Sequence, residues 1–203
     1  KLAMFSTSPA QAIYPMRFLL AFAQGGLISP LLPLFREVFQ VSPGELGLLT
    51  SMAGLSSVVM DVIATYLLSR RPLINLLLQG IGLSAIALLC SALAPSFYWL
   101  IAAQMLLSFG ISLTRVTSLM VVVAATPRHE QGRANSLLEF SAIAGLTISP
   151  TISGLTAAFL HWRLTFVLAT VFVAGAFAWV LYAQRALVQA MDTTPSERPP
   201  TSG

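Results

Sequence analysis

Residues 145–154 read Gly-Leu-Thr-Ile-Ser-Pro-Thr-Ile-Ser-Gly: a proline and a row of small residues in the middle of an apolar run long enough to cross a bilayer. Ser141, Gly145, Ser149, Ser153 and Ala157 recur at every fourth position and stack on one face of a helix. In lipid, small residues at that spacing let two helix backbones approach closely. Pro150 removes one backbone donor and bends a helix. Such a break is tolerated at membrane depth where protein or a cavity satisfies the freed carbonyl. The stretch therefore predicts a transmembrane helix that is closely packed and weakened at its midpoint, as a moving part would be.

The rest of the chain carries the same signal. Of 203 residues, 56% are apolar and only 9% charged, and the mean hydropathy is +0.82. A soluble domain of this size needs a far more charged surface. Apolar runs of about 20 residues, enough to cross roughly 30 Å of hydrocarbon, recur along the whole length. They predict six spans, 13–35, 46–69, 73–94, 98–123, 135–159 and 164–186, with no room between them for a soluble domain. The predicted organisation is a cytoplasmic tail over 1–12, a six-helix bundle over 13–187 and the disordered start of a linker over 188–203. Lys1 in place of a methionine, and the polar, proline-rich segment Asp192–Gly203, predict a piece cut from a longer chain.

Arginines set the orientation. With six alternating spans, Arg17, Arg70, Arg71, Arg128, Arg133 and Arg185 fall at the ends on one side, joined by Lys1 and Arg198 in the tails. The opposite side holds Arg36 and Arg163. By the positive-inside rule the first side is cytoplasmic, as are both termini. The expected setting is the lipid bilayer of a bacterial inner membrane. The net charge of +4 thus follows from topology. Nucleic-acid binding would need a clustered basic face interleaved with aromatics, which is absent. Cys90 is alone inside a span, and His129 and His161 sit in opposite loops, so no metal site or cofactor is expected.

Ionisable side chains at membrane depth cost about 2.5–3.5 kcal/mol on insertion scales and call for a reason. Asp61 in the second span and Arg115 in the fourth lie about 13 and 16 Å from their cytoplasmic ends at 1.5 Å rise per residue, so they could pair. Glu139 in the fifth span is a second possible partner for Arg115. Each belongs to a polar stripe: Gln104, Ser108, Ser112, Arg115 and Ser118 share a sector of about 120° on the fourth helix, and Thr50, Gly54, Ser57, Asp61 and Thr65 do the same on the second. The stripes fit either helix packing or the lining of a substrate path. Gln24, near mid-membrane beside Gly25 and Gly26, is either a substrate contact or an interhelical hydrogen bond. Pro30 and Pro33 bend the first span near its outer end.

Taken together, these residues resemble the amino-terminal half of a major facilitator superfamily transporter. The fifth-helix stretch is similar to the family's Gly-x-x-x-Gly-Pro-x-x-Gly-Gly exporter motif at Gly145, Ser149, Pro150, Ser153 and Gly154, with serine twice replacing glycine. The loop after the second span resembles a worn copy of the family's gating signature. Asp61, Leu67, Arg70 and Arg71 match, while Thr65 stands for its glycine and Ser69 for its second aspartate. On the fourth helix, Gln104, Ser108 and Gly110 stand where the family often carries an arginine and Gly-x-Gly. The resemblance implies an all-α membrane fold of two inverted three-helix repeats. Helices one and four would line a cavity, and helices two and five would face a second six-helix half. It also implies proton-coupled efflux of a small molecule by alternating access. Substrate-path candidates are then Gln24, Gln104, Ser108, Ser112 and Arg115, with Asp61, Arg115 and Glu139 as the coupling charges. Two other classes fit less of the sequence. One is a stand-alone six-helix subunit or homodimer. The other is an intramembrane protease built on Gly110-Ile-Ser112, whose activating histidine would have to be His161, outside the last span.

Overall fold

The computed structural model describes residues 13–24 and 27–193, and among them there are helices and connections but no strand. In order these are α1 (Ile13–Gln24), a 3-10 turn (Ser29–Leu31), α2 (Leu32–Phe39), α3 (Pro43–Leu68), α4 (Leu73–Ala92) and α5 (Phe97–Ala124). A second 3-10 turn (Arg128–Glu130), α6 (Gln131–Phe159) and α7 (Trp162–Thr193) complete them. The last five α-helices are long and apolar enough to cross a membrane. The shortest, α4, has 20 residues and measures about 30 Å, the thickness of a hydrocarbon core.

The first predicted span is not one helix. α1 has 12 residues, about 18 Å, too short to cross alone. Pro30 and Pro33 stand in the opening turns of the 3-10 segment and of α2, where a missing N–H leaves no helical bond unmade. The bend expected at Pro30 and Pro33 is thus a break, and the segment runs on to Phe39 rather than ending at 35. At the other end α7 continues to Thr193, past the boundary predicted at 187. The predicted tail 1–12 and the linker from 194 onward lie outside the described residues.

Short connections tie neighbours together. Gln40 closes α2 in the left-handed region (φ 52°), and Ser42 opens α3 two residues later. The Ser42 Oγ accepts from the Glu45 N–H at 3.3 Å while Glu45 Oε2 accepts from the Ser42 N–H at 2.7 Å, a reciprocal cap at the helix start.

Helix pairing shows the internal repeat. α1 packs on α6 and α7, α5 packs on α3 and α4, and α4 packs on α7. Exchanging α1 with α5, α3 with α6 and α4 with α7 carries this set of pairs onto itself, α4 with α7 lying on the axis, as two inverted three-helix units require.

Glycine sets the closeness of two of these pairs. A methyl on Gly145 of α6 would lie 2.6 Å from the Phe18 carbonyl oxygen and 2.7 Å from the Phe22 backbone nitrogen of α1. Between α4 and α5, a methyl on Gly110 would lie 2.8 Å from the Ser84 nitrogen and 2.9 Å from the Gly80 oxygen. Those obstacles are backbone, which cannot swing aside. An aromatic cluster joins α2 to α7: Phe35 meets Trp162 edge-on at 5.6 Å and stacks on Phe166 at 6.4 Å. Phe39 bridges this cluster to Phe97 of α5 at 5.9 Å. Arg163 lies over the Trp162 ring at 5.1 Å and donates to the Ala94 carbonyl at 3.0 Å, tying α7 to the end of α4.

Gly145→Val is expected to destabilise the bundle by about 1–3 kcal/mol, because added volume here meets backbone. Gly175→Ala, at a position with nothing within 4 Å of the added carbon, is expected to be neutral or slightly stabilising. Thermal unfolding of both variants in detergent measures the contrast, and equal melting temperatures would contradict the packing described.

Candidate functional site

Two helices carry the ionised centre. Ser57 and Asp61 lie one turn apart on α3, Ser112 and Arg115 one turn apart on α5, so each helix offers two groups on one face. Arg115 Nη2 donates to Asp61 Oδ2 at 2.6 Å. The Ser112 hydroxyl donates to the other carboxylate oxygen, Oδ1, and also lies 3.3 Å from the Ser57 carbonyl. Asp61 is therefore gripped at both oxygens from one neighbouring helix. The pair is not sealed: the side chains of Arg115 and Asp61 keep 51% and 37% of their exposure. It can reach solvent or a bound molecule.

A second arginine stands behind it. Arg17, on α1, is only 7% exposed, and its Nε is enclosed with no partner. Its helix packs on α6 and α7. The sequence reading counted Arg17 among the arginines that mark the cytoplasmic side and gave it no other part. The structure instead encloses its side chain inside the bundle. The signal was present, since Arg17 sits between Met16 and the unbroken apolar run Phe18–Ala23. Glu139 is exposed and makes no ion pair within 4 Å; Asp61, not Glu139, is the partner of Arg115.

The remaining sequence candidates separate clearly. Gln104 is buried and its Nε2 donates to Ser91 Oγ at 3.0 Å across to α4, while the Ser108 and Ser118 hydroxyls return to carbonyls of their own helix. The polar stripe of α5 is thus largely enclosed between helices, and Arg115 is its member with open surface. The backbone of Gln24 closes α1; its side chain lies outside what is described. Thr65 and Ser69 donate to carbonyls of their own helix, Asp61 O and Tyr66 O, and Arg70 covers the Tyr66 ring at 4.7 Å. Arg71 is exposed at the same helix end.

The small face of α6 has a definite occupant. Ser153 Oγ donates to the Leu27 carbonyl at 2.9 Å, Gly145 abuts Phe18 and Phe22, and Gly154 approaches Pro30. Ser149 is fully buried with its hydroxyl unpartnered, and the helix runs unbroken through Pro150. The expectation that this helix turns towards a second half holds for none of these small residues, because α1 and the segment that follows it fill their face. What remains uncovered on α6 is a different side, with Phe140, Ile143, Ile148 and Leu155 exposed. Ser112 has no histidine beside it. His161 is at the start of α7, where its Nδ1 accepts from the Arg163 N–H at 3.2 Å, so the protease arrangement is absent.

Five membrane-length helices and a broken first segment, paired in two equivalent triplets around a half-exposed ion pair between α3 and α5, define a transporter-type membrane bundle. The chain belongs to the Major Facilitator Superfamily, whose family model matches residues 16–202. It is thus an integral membrane protein of a transport family and not an enzyme. Among solved structures it is similar to a bacterial homologue of the iron transporter ferroportin in an outward-facing state, with a TM-score of 0.62 and 19% identity. That likeness, one of fold, covers 95% of this chain and 47% of the other, so the chain spans about half the length of that protein. A comparison with curated proteins returns no match.

A double-mutant cycle on Asp61→Asn and Arg115→Gln, read by thermal unfolding, is expected to give a coupling of about 0.5–3 kcal/mol. Strictly additive single effects would mean that the two side chains do not sense one another.

Proposed function

We propose that this chain is the amino-terminal half of a secondary-active exporter that moves a small molecule by alternating access, driven by proton exchange. The observation that carries the reading is the Asp61–Arg115 pair: a carboxylate and a guanidinium at membrane depth, joined across two helices and still half-open. In lipid such charges are costly, and those that persist pair with one another and mark ion or substrate pathways. Protonating Asp61 cancels the charge that holds Arg115, loosening α3 from α5. Proton binding thereby becomes a change in helix contact. Glu139, without an ion pair, is the second carboxylate available for coupling.

The exporter direction rests on the fifth-helix motif, Gly145, Ser149, Pro150, Ser153 and Gly154. It lets α6 approach α1 closely and lacks a backbone donor at its midpoint. A second six-helix half is supported by the uncovered apolar faces of α3 and α6 and by the half-length match. The arginine distribution supports cytoplasmic termini in a bacterial inner membrane.

The test uses the full-length protein in inverted membrane vesicles with an acid interior reported by a pH-sensitive dye. A transported member of a small-molecule panel is expected to release protons from the lumen, and Asp61→Asn to reduce that release at least 10-fold. Substrate movement that persists unchanged after the pH gradient is collapsed would remove the proton-coupled reading.

A further inference from the structure

Where α2 gives way to α3, Leu32, Pro33, Arg36 and Glu37 of the one helix and Pro43 and Leu46 of the other line an open groove of about 530 Å³. That volume suits a small organic molecule. Helix phase puts these residues there. At 100° per residue, Pro33 and Glu37 lie roughly opposite Phe35, which is turned into the aromatic cluster on α7. The groove side of α2 thus faces away from that packed cluster. Arg36 and Glu37 are both exposed, and neither forms an ion pair among the described residues.

The groove continues towards the charged pair. Leu46, Thr50, Gly54, Ser57 and Asp61 fall within a sector of about 80° on α3. Groove and pair therefore share one helix face, about 22 Å apart at 1.5 Å rise per residue. Between them the face is low and open: Thr50 and Gly54 are exposed, and nothing lies within 4 Å of a methyl placed on Gly54. The Thr50 and Ser57 hydroxyls donate to carbonyls of their own helix, those of Gly47 and Gly54, at 2.9 and 2.8 Å. Strong contacts for a ligand are thus concentrated at the two ends. The exposed apolar residues Leu55, Val59 and Val62 lie on the other side of α3.

We propose that the groove is a second station on the substrate path and takes the same ligand as the Asp61–Arg115 pair, an organic anion with an apolar body. Hydrogen-bonding capacity sets the sign of the charge. Asp61 already accepts at both oxygens, whereas Arg115 donates to it through Nη2 alone and keeps 51% of its side-chain exposure. A guanidinium has further donors to offer. An anion therefore finds free donors at the pair and again on Arg36, while of the two stations a cation finds an open carboxylate only at Glu37. The planar fork of each arginine matches a carboxylate, and Leu32, Pro33 and Leu46 take the apolar body. A carboxylate beside each arginine keeps either hold weak enough for release, as passage along a path requires. The inference rests on the alternating-access part of the transport reading and not on its coupling ion.

The experiment is calorimetric titration of the purified full-length protein with naphthoate. Naphthamide and naphthylmethylamine serve as matched probes that keep the apolar body but are neutral and cationic. Two naphthoate sites are expected, with the amide and the amine about 10-fold weaker. Arg36→Gln is expected to remove one site and spare the other, and Arg115→Gln to do the reverse. Glu37→Gln, which takes away a like charge, is expected to tighten naphthoate at the groove several-fold. Arg36 and Glu37 are exposed, so their variants test the groove even where an Arg115 variant fails to fold. Two sites persisting in Arg36→Gln, or equal binding of the amine, overturns the proposal. No naphthoate binding also overturns it, and if that preparation still couples another small molecule to the pH gradient, the transport reading stands alone.

Discussion

The approach of Gly145 to the backbone of α1 is the contact on which the arrangement of this bundle depends. Lipid tails are as apolar as leucine, so transmembrane helices gain little by hiding apolar surface from them. They associate through close packing and interhelical hydrogen bonds. Gly145 allows backbone to lie against backbone, and Ser153 fastens α6 to the segment just after α1 through the Leu27 carbonyl. Its counterpart under the internal repeat, α3 against α5, is fastened by Ser112 and Arg115 on Asp61. One equivalent pair is held by small residues and the other by charge, and this difference gives the two repeats different chemistry.

The charged pair is where function enters. A buried ion pair adds little stability over an apolar substitute, and breaking one member of it is costly. Here the pair is half-open, so it can exchange partners with water, a proton or a bound group. Where α2 meets α7, the Phe35–Trp162–Phe166 cluster and the Arg163–Ala94 bond offer no such exchange. The bundle is thus firm at the aromatic cluster and chemically adjustable at the Asp61–Arg115 pair.

Much of this was legible in the chain. Hydropathy alone indicated an all-helical membrane bundle, and counting residues from the helix ends put Asp61 and Arg115 at matching depths. The α5 stripe was legible as a stripe, though its meaning was not. Gln104 and Ser108 are enclosed by α4 and their own helix, and a periodicity that places residues on one face does not say what that face meets. Arg17 escaped notice for the opposite reason. An arginine near a predicted helix end looks the same in sequence whether it points to water or into protein.

By itself, then, the sequence determined that the chain lies in a membrane, roughly where it crosses, and where prolines and caps interrupt or begin its helices. Those properties depend on residues near one another along the chain. The tertiary structure alone decided that the first segment rather than another body occupies the small face of α6, that Asp61 rather than Glu139 takes Arg115, and that Arg17 is enclosed inside the bundle. Each of these depends on the rotation and register of one helix against another, set by packing across the bundle, which leaves no mark in local periodicity.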